Sequence, residues 1–305
     1  MLSRKRPYNG ERNVRVDPPG ADPSALLQRT GLNLDQGRVV FGFGGNYGDC
    51  GAYRGRVASV GERAGAARFF TVDARSTQSQ GAVWMGGAAP VVDGRGNVWV
   101  GVGNGSTTTA GQGYDDSDSV LELSSTLRLA QYFAPTTWPQ DNASDLDMSM
   151  APALLANGQV VASGKARVAY LLNGARLGGV GGQQASLANV CSNDVDGGGA
   201  VVGRVVYLPC LSGPVAVRVG SSPHALTVLW SAGVGGGPPI VAAGFVWTIG
   251  PDGVLYALDP ATGAVRRQVT LGPQANHFAT PSAGGGVLVA ATQNRVIAFR
   301  TSSSG

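Results

Sequence analysis

A repeat of strands and turns, present twice within residues 237–300, constrains the fold of this chain more than any other sequence feature. The first copy reads PPIVAAG, FVWTIG, PDG, VLYALD, PATG and AVRRQVTL, which is four short strands joined by tight turns. The second copy reads ATPSAGGG, VLVAAT, QN and RVIAFR, and it ends after three strands. Four short strands in a period of about 40 residues are typical of a β-propeller blade. A single blade leaves both faces of its sheet uncovered, so several blades must pack around an axis.

Weaker copies of the same cycle extend back to residue 25. They contain RVVYLPC with PVAVRVG, QVVASG with VAYLLNG and a Gly-rich connection to about Ser192, NVWVGVGNG with SVLELS, and RVVFGFGG with RVASVGE. We therefore predict an all-β fold, a β-propeller of about six four-stranded blades. The last copy lacks an outer strand, and residues 12–17, with the sequence RNVRVD, are expected to supply it. The predicted domains are a basic tail with this closing strand, residues 1–22, and the propeller, residues 23–305.

The charge of the chain excludes some classes of function. The net charge of +4 is concentrated in residues 1–17, which hold five bases and two acids, and the rest is almost neutral. Bases are not interleaved with aromatic residues in the body, so we expect no nucleic-acid partner. No run of 18 apolar residues is present and the N-terminus has no apolar signal segment, so we expect neither a membrane partner nor a signal peptide in this chain.

Three cysteines allow two interpretations. Cys191 precedes an innermost strand and Cys210 ends the next strand of the same predicted blade, so both map to one face and a disulfide between them is reasonable. Cys50 would then be a free thiol, and the protein would be exported or periplasmic in origin. Three reduced thiols in an intracellular protein is the alternative.

The turn at residues 257–263 carries a resemblance to a known family. VLYALDPATGAV resembles the pyrroloquinoline-quinone-type propeller repeat, in which an A-L-D-x-x-T-G turn leads to an outer strand that often ends in Trp. The resemblance implies a degenerate bacterial member with a propeller over residues 25–300. Quinoprotein dehydrogenases of this family have a bound quinone, a Ca²⁺ ion, a catalytic Asp and, in several, a vicinal cysteine pair. Here no two cysteines are adjacent and Arg266, Arg267 and Gln268 stand where the Trp is expected, so we do not expect the quinone.

Polar residues are predicted to gather at one face of the propeller. The loops between second and third strands and the loops leading into innermost strands surround the same mouth of the channel. They hold Asn46, Asp49, Asn104, Asp115, Asp116, Asp118, Lys165, Gln293, Trp84, Asp141, Asp145, Asp147, Asn193, Asp194, Asp196 and His277. An acidic mouth with a histidine suits a divalent cation such as Ca²⁺ or Zn²⁺. The predicted metal ligands are Asp49, Asp147, His277, Asp118 and Asn104; the alternative is that these Asx residues only form turns.

His277, Asp147 and Lys165 are the predicted catalytic residues. A neutral histidine can bind a metal or accept a proton near neutral pH, and a neighbouring carboxylate sets its tautomer. Lys165 is the only lysine outside the tail and could hold an anionic group. The alternatives are a packing histidine and a solvated lysine.

Three functions follow from these residues. The first is a metal-dependent propeller hydrolase that acts on a small ester, lactone or phosphate ester at the channel mouth, as a monomer with a small-molecule substrate. The second is a non-catalytic propeller that serves as a binding or scaffold module. The third is a quinoprotein oxidoreductase, against which the cysteine spacing and the missing Trp argue.

Overall fold

The computed structural model describes residues 16–63, 65–74 and 79–300. It confirms the all-β prediction, because six predominantly antiparallel sheets follow one another along the chain as the six blades of a propeller. The strands are rich in Val, Ile, Leu and aromatic residues, the side chains that pack well on a pleated sheet.

Blades 1 and 2 contain the longest loops. Blade 1 consists of β1 (Leu26–Gln28), β2 (Asn33–Asp35), β3 (Arg38–Gly45), β4 (Arg56–Gly61) and β5 (Arg68–Thr71). Blade 2 begins after a 3-10 helix (Met85–Gly87) and contains β6 (Val91–Val92), β7 (Val98–Val102), β8 (Ser119–Leu123) and β9 (Leu129–Ala134), with a second 3-10 helix (Ala110–Gln112) between β7 and β8. A short helix, α1 (Trp138–Ala143), and β10 (Met150–Ala151) follow.

The remaining blades have shorter connections. Blade 3 consists of β11 (Ala153–Leu154), β12 (Gln159–Ala162), β13 (Ala169–Asn173) and, after β14 (Gly179–Val180), β15 (Ala185–Leu187). After β16 (Gly197–Gly198), blade 4 consists of β17 (Ala200–Val202), β18 (Val205–Leu208), β19 (Val215–Val219) and β20 (Leu226–Ser231). Blade 5 consists of β21 (Ile240–Ala242), β22 (Phe245–Ile249), β23 (Val254–Leu258) and β24 (Val265–Thr270). Blade 6 has β25 (Ser282–Gly284), β26 (Val287–Thr292) and β27 (Arg295–Arg300).

The core lies between blades, and the two-residue period of the strands explains why. Trp99 in β7 joins an apolar cluster with blade 3, whereas its neighbour Val100 joins a cluster with blade 1. In the same way Val160 in β12 faces blade 2 and Val161 faces blade 4. Successive side chains of a strand point to opposite faces, so every inner blade uses both faces to bury apolar surface against its two neighbours. Burying each large side chain stabilises the fold by about 1.5–3 kcal/mol.

Some elements differ from the regular four-stranded pattern. In blade 1, β1 and β2 both pair with β3 and together form one interrupted inner strand. The Gly-rich connection after β13 holds two strands, β14, which pairs in parallel with β9 of blade 2, and β15, the outer strand of blade 3. The described residues contain no helix long and apolar enough to span a bilayer.

The ring meets at blades 6 and 1. Blade 6 has three strands among the described residues, and the predicted closing strand, residues 12–17, lies outside them except for its last two residues. Val16 packs on the apolar face of blade 1 formed by Phe41, Phe43 and Ala58. Arg29, which follows β1, lies with its guanidinium carbon 5.7 Å from the ring centre of Phe278, in the loop that leads into blade 6. Blade 1 therefore contacts blade 6 through this inner loop, while the closing strand stays a prediction.

The predicted cysteine pairing is confirmed. Cys191 and Cys210 form a disulfide with a Cα–Cα distance of 5.8 Å, within the range that disulfides span. The bond fastens the loop that leads into blade 4 to the start of the loop after β18. Cys50 is a free, exposed thiol.

Candidate functional site

The strongest polar contact at the channel mouth joins one lysine to two carboxylates. Lys165, in the loop after β12, lies 2.6 Å from Oδ2 of Asp147 and 2.9 Å from Oδ1 of Asp145. Asp147 is completely buried, whereas the side chain of Asp145 is 66% exposed. The other oxygen of Asp147 accepts a hydrogen bond of 2.7 Å from the backbone N–H of Asn104, after β7. Loops of blades 2 and 3 thus converge on one buried carboxylate.

The backbone brings the lysine and its partner together. The amide of Lys165 donates a hydrogen bond of 3.0 Å to the carbonyl of Asp147, so the two loops are also joined along the main chain. The preceding Gly164 makes this approach feasible, because a Cβ atom there would lie 2.0 Å from the Asp147 carbonyl oxygen. The sequence G-K is therefore a local requirement for placing the ammonium group beside the buried acid.

Burial and charge shift the acid–base behaviour of this cluster. Burial raises the pKa of Asp147, although Lys165 and the Asn104 N–H act in the opposite direction. Burial alone would lower the pKa of Lys165, but Asp147 and Asp145 raise it overall, so the lysine stays protonated. Burial, followed by the charges of Asp147 and Asp141, raises the pKa of Asp118 well above its ordinary value. Burial and the neighbouring carboxylates therefore favour the protonated form of Asp118.

A second network supports the long β7–β8 loop against α1. Asn142 in α1 accepts a hydrogen bond of 2.6 Å from the amide of Gly105 and donates one of 2.6 Å to the carbonyl of Thr107. Its amide also contacts the hydroxyl of Ser117, which donates to Asp115. Both these polar contacts and the packing of Tyr114 on Trp138 hold the loop against α1.

The structure places the other two predicted site residues apart from this cluster's contacts. Asp49 accepts a hydrogen bond of 2.6 Å from the hydroxyl of Tyr53. His277 packs on Phe278 with ring centres 3.9 Å apart, and burial, together with the charge of Arg29, lowers its pKa. Across the described residues, no group of three or more His, Cys, Asp or Glu side chains is arranged to hold a metal ion. Of the predicted ligand set, Asp147, Asn104 and Asp118 come together, and the metal itself stays a prediction.

Sequence reasoning missed Arg29, and it placed Asp196 at the channel mouth without assigning it a role. Arg29 lies over the rings of Trp84 and Phe278, with distances of 5.4 and 5.7 Å to their centres. Asp196, before β16, is coupled by charge to Asp147 and Arg29; burial and Asp147 raise its pKa to about 7. Only the closed ring places blade 1 beside blades 2 and 6, so no local signal marks Arg29.

Comparison with known proteins places this geometry on a known fold. The chain is 16% identical to the quinohemoprotein alcohol dehydrogenase from Comamonas testosteroni, with a TM-score of 0.60 over 86% of this chain and 55% of that one. It is 13% identical to quinohemoprotein alcohol dehydrogenase ADHIIG from Pseudomonas putida HK5, with a TM-score of 0.64 over 88% of this chain and 57% of that one. BamB from Moraxella catarrhalis is 14% identical, with a TM-score of 0.53 over 92% of this chain and 84% of BamB. No protein-family model and no curated protein sequence matches the chain.

The chain has the quinoprotein-type propeller fold. This confirms the fold that the turn at residues 257–263 implied, and identities this low show the fold alone. The chain spans just over half the length of either dehydrogenase.

The residues at the mouth of this quinoprotein-type propeller do not fit the quinone. Pyrroloquinoline quinone carries carboxylates, but the mouth is acidic, and its one lysine already lies between Asp145 and Asp147. Cys191 is bonded to Cys210 rather than to an adjacent cysteine. A divalent cation at Asp147 would likewise have to displace Lys165. The cluster already holds an ammonium group, that of Lys165.

The tryptophan docking of the quinoprotein-type repeat is present, in a place that the sequence analysis overlooked. Trp230, in the outer strand of blade 4, lies over Gly263 in the turn of blade 5, and its indole N–H donates a hydrogen bond of 3.0 Å to the carbonyl of Pro260. The repeat pattern predicted this Trp after Gly263 in the same repeat, where Arg266 and Arg267 stand. The docking Trp comes instead from the preceding blade, in the sequence VLWS.

Proposed function

We propose that this chain is a non-catalytic propeller that serves as a binding or scaffold module. The observation that carries the proposal is that three of the predicted site residues, Lys165, Asp147 and Asp49, are each held by other groups of the chain. Lys165 bridges Asp145 and Asp147, Asn104 holds Asp147, and Tyr53 holds Asp49. A catalytic acid, base or metal ligand needs a free coordination or proton-transfer position facing the substrate.

The raised pKa of Lys165 also supports this function. A lysine acts as a base or nucleophile when its pKa is lowered, whereas Lys165 remains charged beside two carboxylates. The dehydrogenases and BamB share one fold, so the fold by itself does not select an activity. The disulfide supports work in an oxidising compartment, which agrees with an exported or periplasmic origin. We also propose that the chain is a monomer.

One experiment separates this proposal from the metal-dependent hydrolase. Purified protein is assayed for bound metal and screened against chromogenic esters, lactones and phosphate esters, with and without a chelator. We expect the protein to contain less than one metal ion per chain. We also expect no turnover that is lost on chelation or in the variant Asp147→Asn. Turnover that both treatments abolish, and that His277→Ala lowers by about 10²-fold or more, would establish the hydrolase instead.

A further inference from the structure

A half-open groove lies between the sheets of blades 5 and 6, remote in sequence from the acidic cluster of blades 2 and 3. Its volume is about 620 Å³, within the range of about 300–1,000 Å³ that small-molecule sites occupy. Large apolar side chains line it: Phe245, Trp247 and Leu255 from blade 5, and Leu288 and Phe299 from blade 6. The groove thus has the size and the lining of a site for an apolar molecule.

The aromatic wall of the groove is fixed before any ligand arrives. The Trp247 indole donates a hydrogen bond of 2.9 Å to the carbonyl of Ala242. Its ring meets that of Phe245 edge to face, with ring centres 5.9 Å apart. A wall held in one rotamer loses little side-chain freedom on binding, which lowers the cost of association.

Small residues keep the mouth of the groove open. The turn between β25 and β26 is Gly285–Gly286 and follows Gly284, the last residue of β25; a Cβ atom at any of the three would meet no atom within 4 Å. Across the groove, Ala242 ends β21 and Ala243 begins the turn to β22. Glycine and alanine have no side chain beyond Cβ, so none extends into the groove from these positions.

Two cations flank the apolar wall. Arg267 of β24 and Arg300 of β27 both line the groove, and neither has a salt bridge or side-chain hydrogen bond among the described residues. By contrast, the adjacent Arg266 is paired with Asp259 at 2.8 Å. The sequence from residue 260 to residue 305 contains four arginines and no acid, so no carboxylate of this stretch can neutralise the rim.

We propose that this groove binds a small amphipathic carboxylate, with its apolar body between the sheets of blades 5 and 6 and its anionic head at Arg267 and Arg300. Guanidinium groups recognise carboxylates through charge-assisted hydrogen bonds. The site is independent of the channel mouth, so it goes beyond the proposed function and can fail or hold separately from it.

The test uses dodecanoate below its micellar concentration, titrated into the full chain in a calorimeter, with dodecyltrimethylammonium as the cationic comparator. We expect saturable binding of dodecanoate and much weaker binding of the cation. The double variant Arg267→Gln/Arg300→Gln should weaken dodecanoate binding at least about 10-fold, because each charge-assisted hydrogen bond is lost. Ala283→Phe, which places a ring in the groove, should abolish it.

Arg295→Gln is the matched control, since Arg295 lies on the same strand β27 but does not line the groove. This variant should bind dodecanoate as the parent does. Equal affinity for both surfactants, or undiminished dodecanoate binding in the double arginine variant, would overturn the proposal. So would a parent protein that sediments as a dimer and becomes a monomer on Ala283→Phe, because the groove would then be an interface between two copies.

Discussion

At the scale of single residues, Lys165 and Asp147 show why each member of a buried ion pair depends on the other. Removing both charges from water costs several kcal/mol per ion, and their attraction recovers this only when the geometry is good. Here a contact of 2.6 Å and a backbone donor to the second oxygen provide that geometry. The pair therefore contributes little net stability, but each member depends strongly on the other.

Lys165→Met should be strongly destabilising, because it leaves Asp147 buried without its cation. We expect the free energy of unfolding to fall by about 3–5 kcal/mol, measured by urea denaturation near neutral pH. Asp145→Asn is the control, since it removes the exposed partner of the same lysine and should cost less than about 1 kcal/mol. Similar losses in the two variants would mean that Asp147 is not held by Lys165.

Asp196 should make the stability of the protein depend on pH. Its pKa is raised from 3.8 to about 7 in the folded chain, so the folded state keeps a proton that the unfolded state releases. The stability that this proton contributes is present below about pH 4 and is lost as the pH rises to about 7. Asp196→Asn imitates the protonated form, so it should flatten this decline and unfold at a higher temperature than the parent at pH 8.

Thermal melts of the parent, Asp196→Asn and Asp194→Asn across this pH range are the measurement. Asp194→Asn, a change in the same loop, should reduce the slope only slightly, because Asp194 comes after burial and Asp147 among the causes that raise the pKa of Asp196. An unchanged slope in Asp196→Asn would show that the proton is held elsewhere in the cluster.

The site residues differ in how far the sequence could predict them. Lys165 stood out because the body of the chain has no other lysine, and the loop positions of Asp147, Asn104 and Asp118 followed from the repeat. The contacts of these residues with one another could not be predicted, because they depend on side-chain distances between blades. Arg29 carries no local signal, since its aromatic partners belong to the two neighbouring blades of the closed ring.

At the scale of elements, the turn at residues 259–263 holds blade 5 against blade 4, because both Trp230 and Tyr207 of blade 4 donate hydrogen bonds to its Pro260 carbonyl. Asp259 caps the turn by accepting hydrogen bonds from the amides of Ala261 (2.8 Å) and Thr262 (3.2 Å). Gly263, with a φ of 72°, leaves room for the Trp230 ring of the preceding blade. The D-x-x-T-G pattern is thus required by an inter-blade contact as well as by the turn.

Gly263→Ala should be costly for two reasons, the left-handed backbone and a Cβ atom 2.5 Å from Cε3 of Trp230. Gly244→Ala separates the two, because Gly244 has a φ of 79° and nothing within 4 Å of the added Cβ. We expect Gly263→Ala to lose about 1–3 kcal/mol more than Gly244→Ala in denaturant unfolding. Equal losses would assign the whole effect to backbone strain and none to the docked ring.

The disulfide should stabilise blade 4 without affecting the rest of the ring directly. The double variant Cys191→Ser/Cys210→Ser opens a loop between residues 19 positions apart, which should cost about 3 kcal/mol in the chain-entropy description. Cys50→Ser removes an exposed thiol and should be neutral in the same denaturation experiment. A fully stable double variant would contradict the prediction.

Strands with clear apolar runs between turns were predictable, and those in Gly-rich chain were not. β22 and β23 are bounded by turn residues and are nearly continuous apolar runs, typical of strands buried on both faces. β14 is only two residues of a Gly-rich connection and pairs with a strand of another blade, which no local pattern can indicate. The helix α1 begins at Trp138 with Pro139 in its first turn, but six residues are too few for a helical period to be recognised.

At the scale of the whole molecule, the repeat predicted the ring because each blade needs two neighbours. The observed apolar clusters join blades 1 to 6 in succession, so each repeat of the sequence packs on the repeat that follows it. The junction of blades 6 and 1 follows a different rule, since no apolar cluster of the described residues joins them. Its closure depends on residues outside the repeat, which is why it could not be derived with the same argument.

A monomeric ring of this length should have a radius of gyration of about 19 Å in solution. Small-angle scattering at several protein concentrations measures this value. A radius that grows with concentration, or a forward intensity twice that of a monomer, would contradict the monomer.

The uneven placement of charge gives the ring an electric dipole moment. Residues 91–173, in blades 2 and 3, contain eight acids and four bases, while residues 260–305, at the opposite end of the series, contain four arginines and no acid. The described charges thus form a dipole with a component across the ring, from blades 2 and 3 to blades 5 and 6. A dipole turns in a field before contact is made, and charged patches steer approach in this way. Near an anionic surface, this propeller should therefore orient with the edge of blades 5 and 6 toward the surface and the acidic loops of blades 2 and 3 away from it.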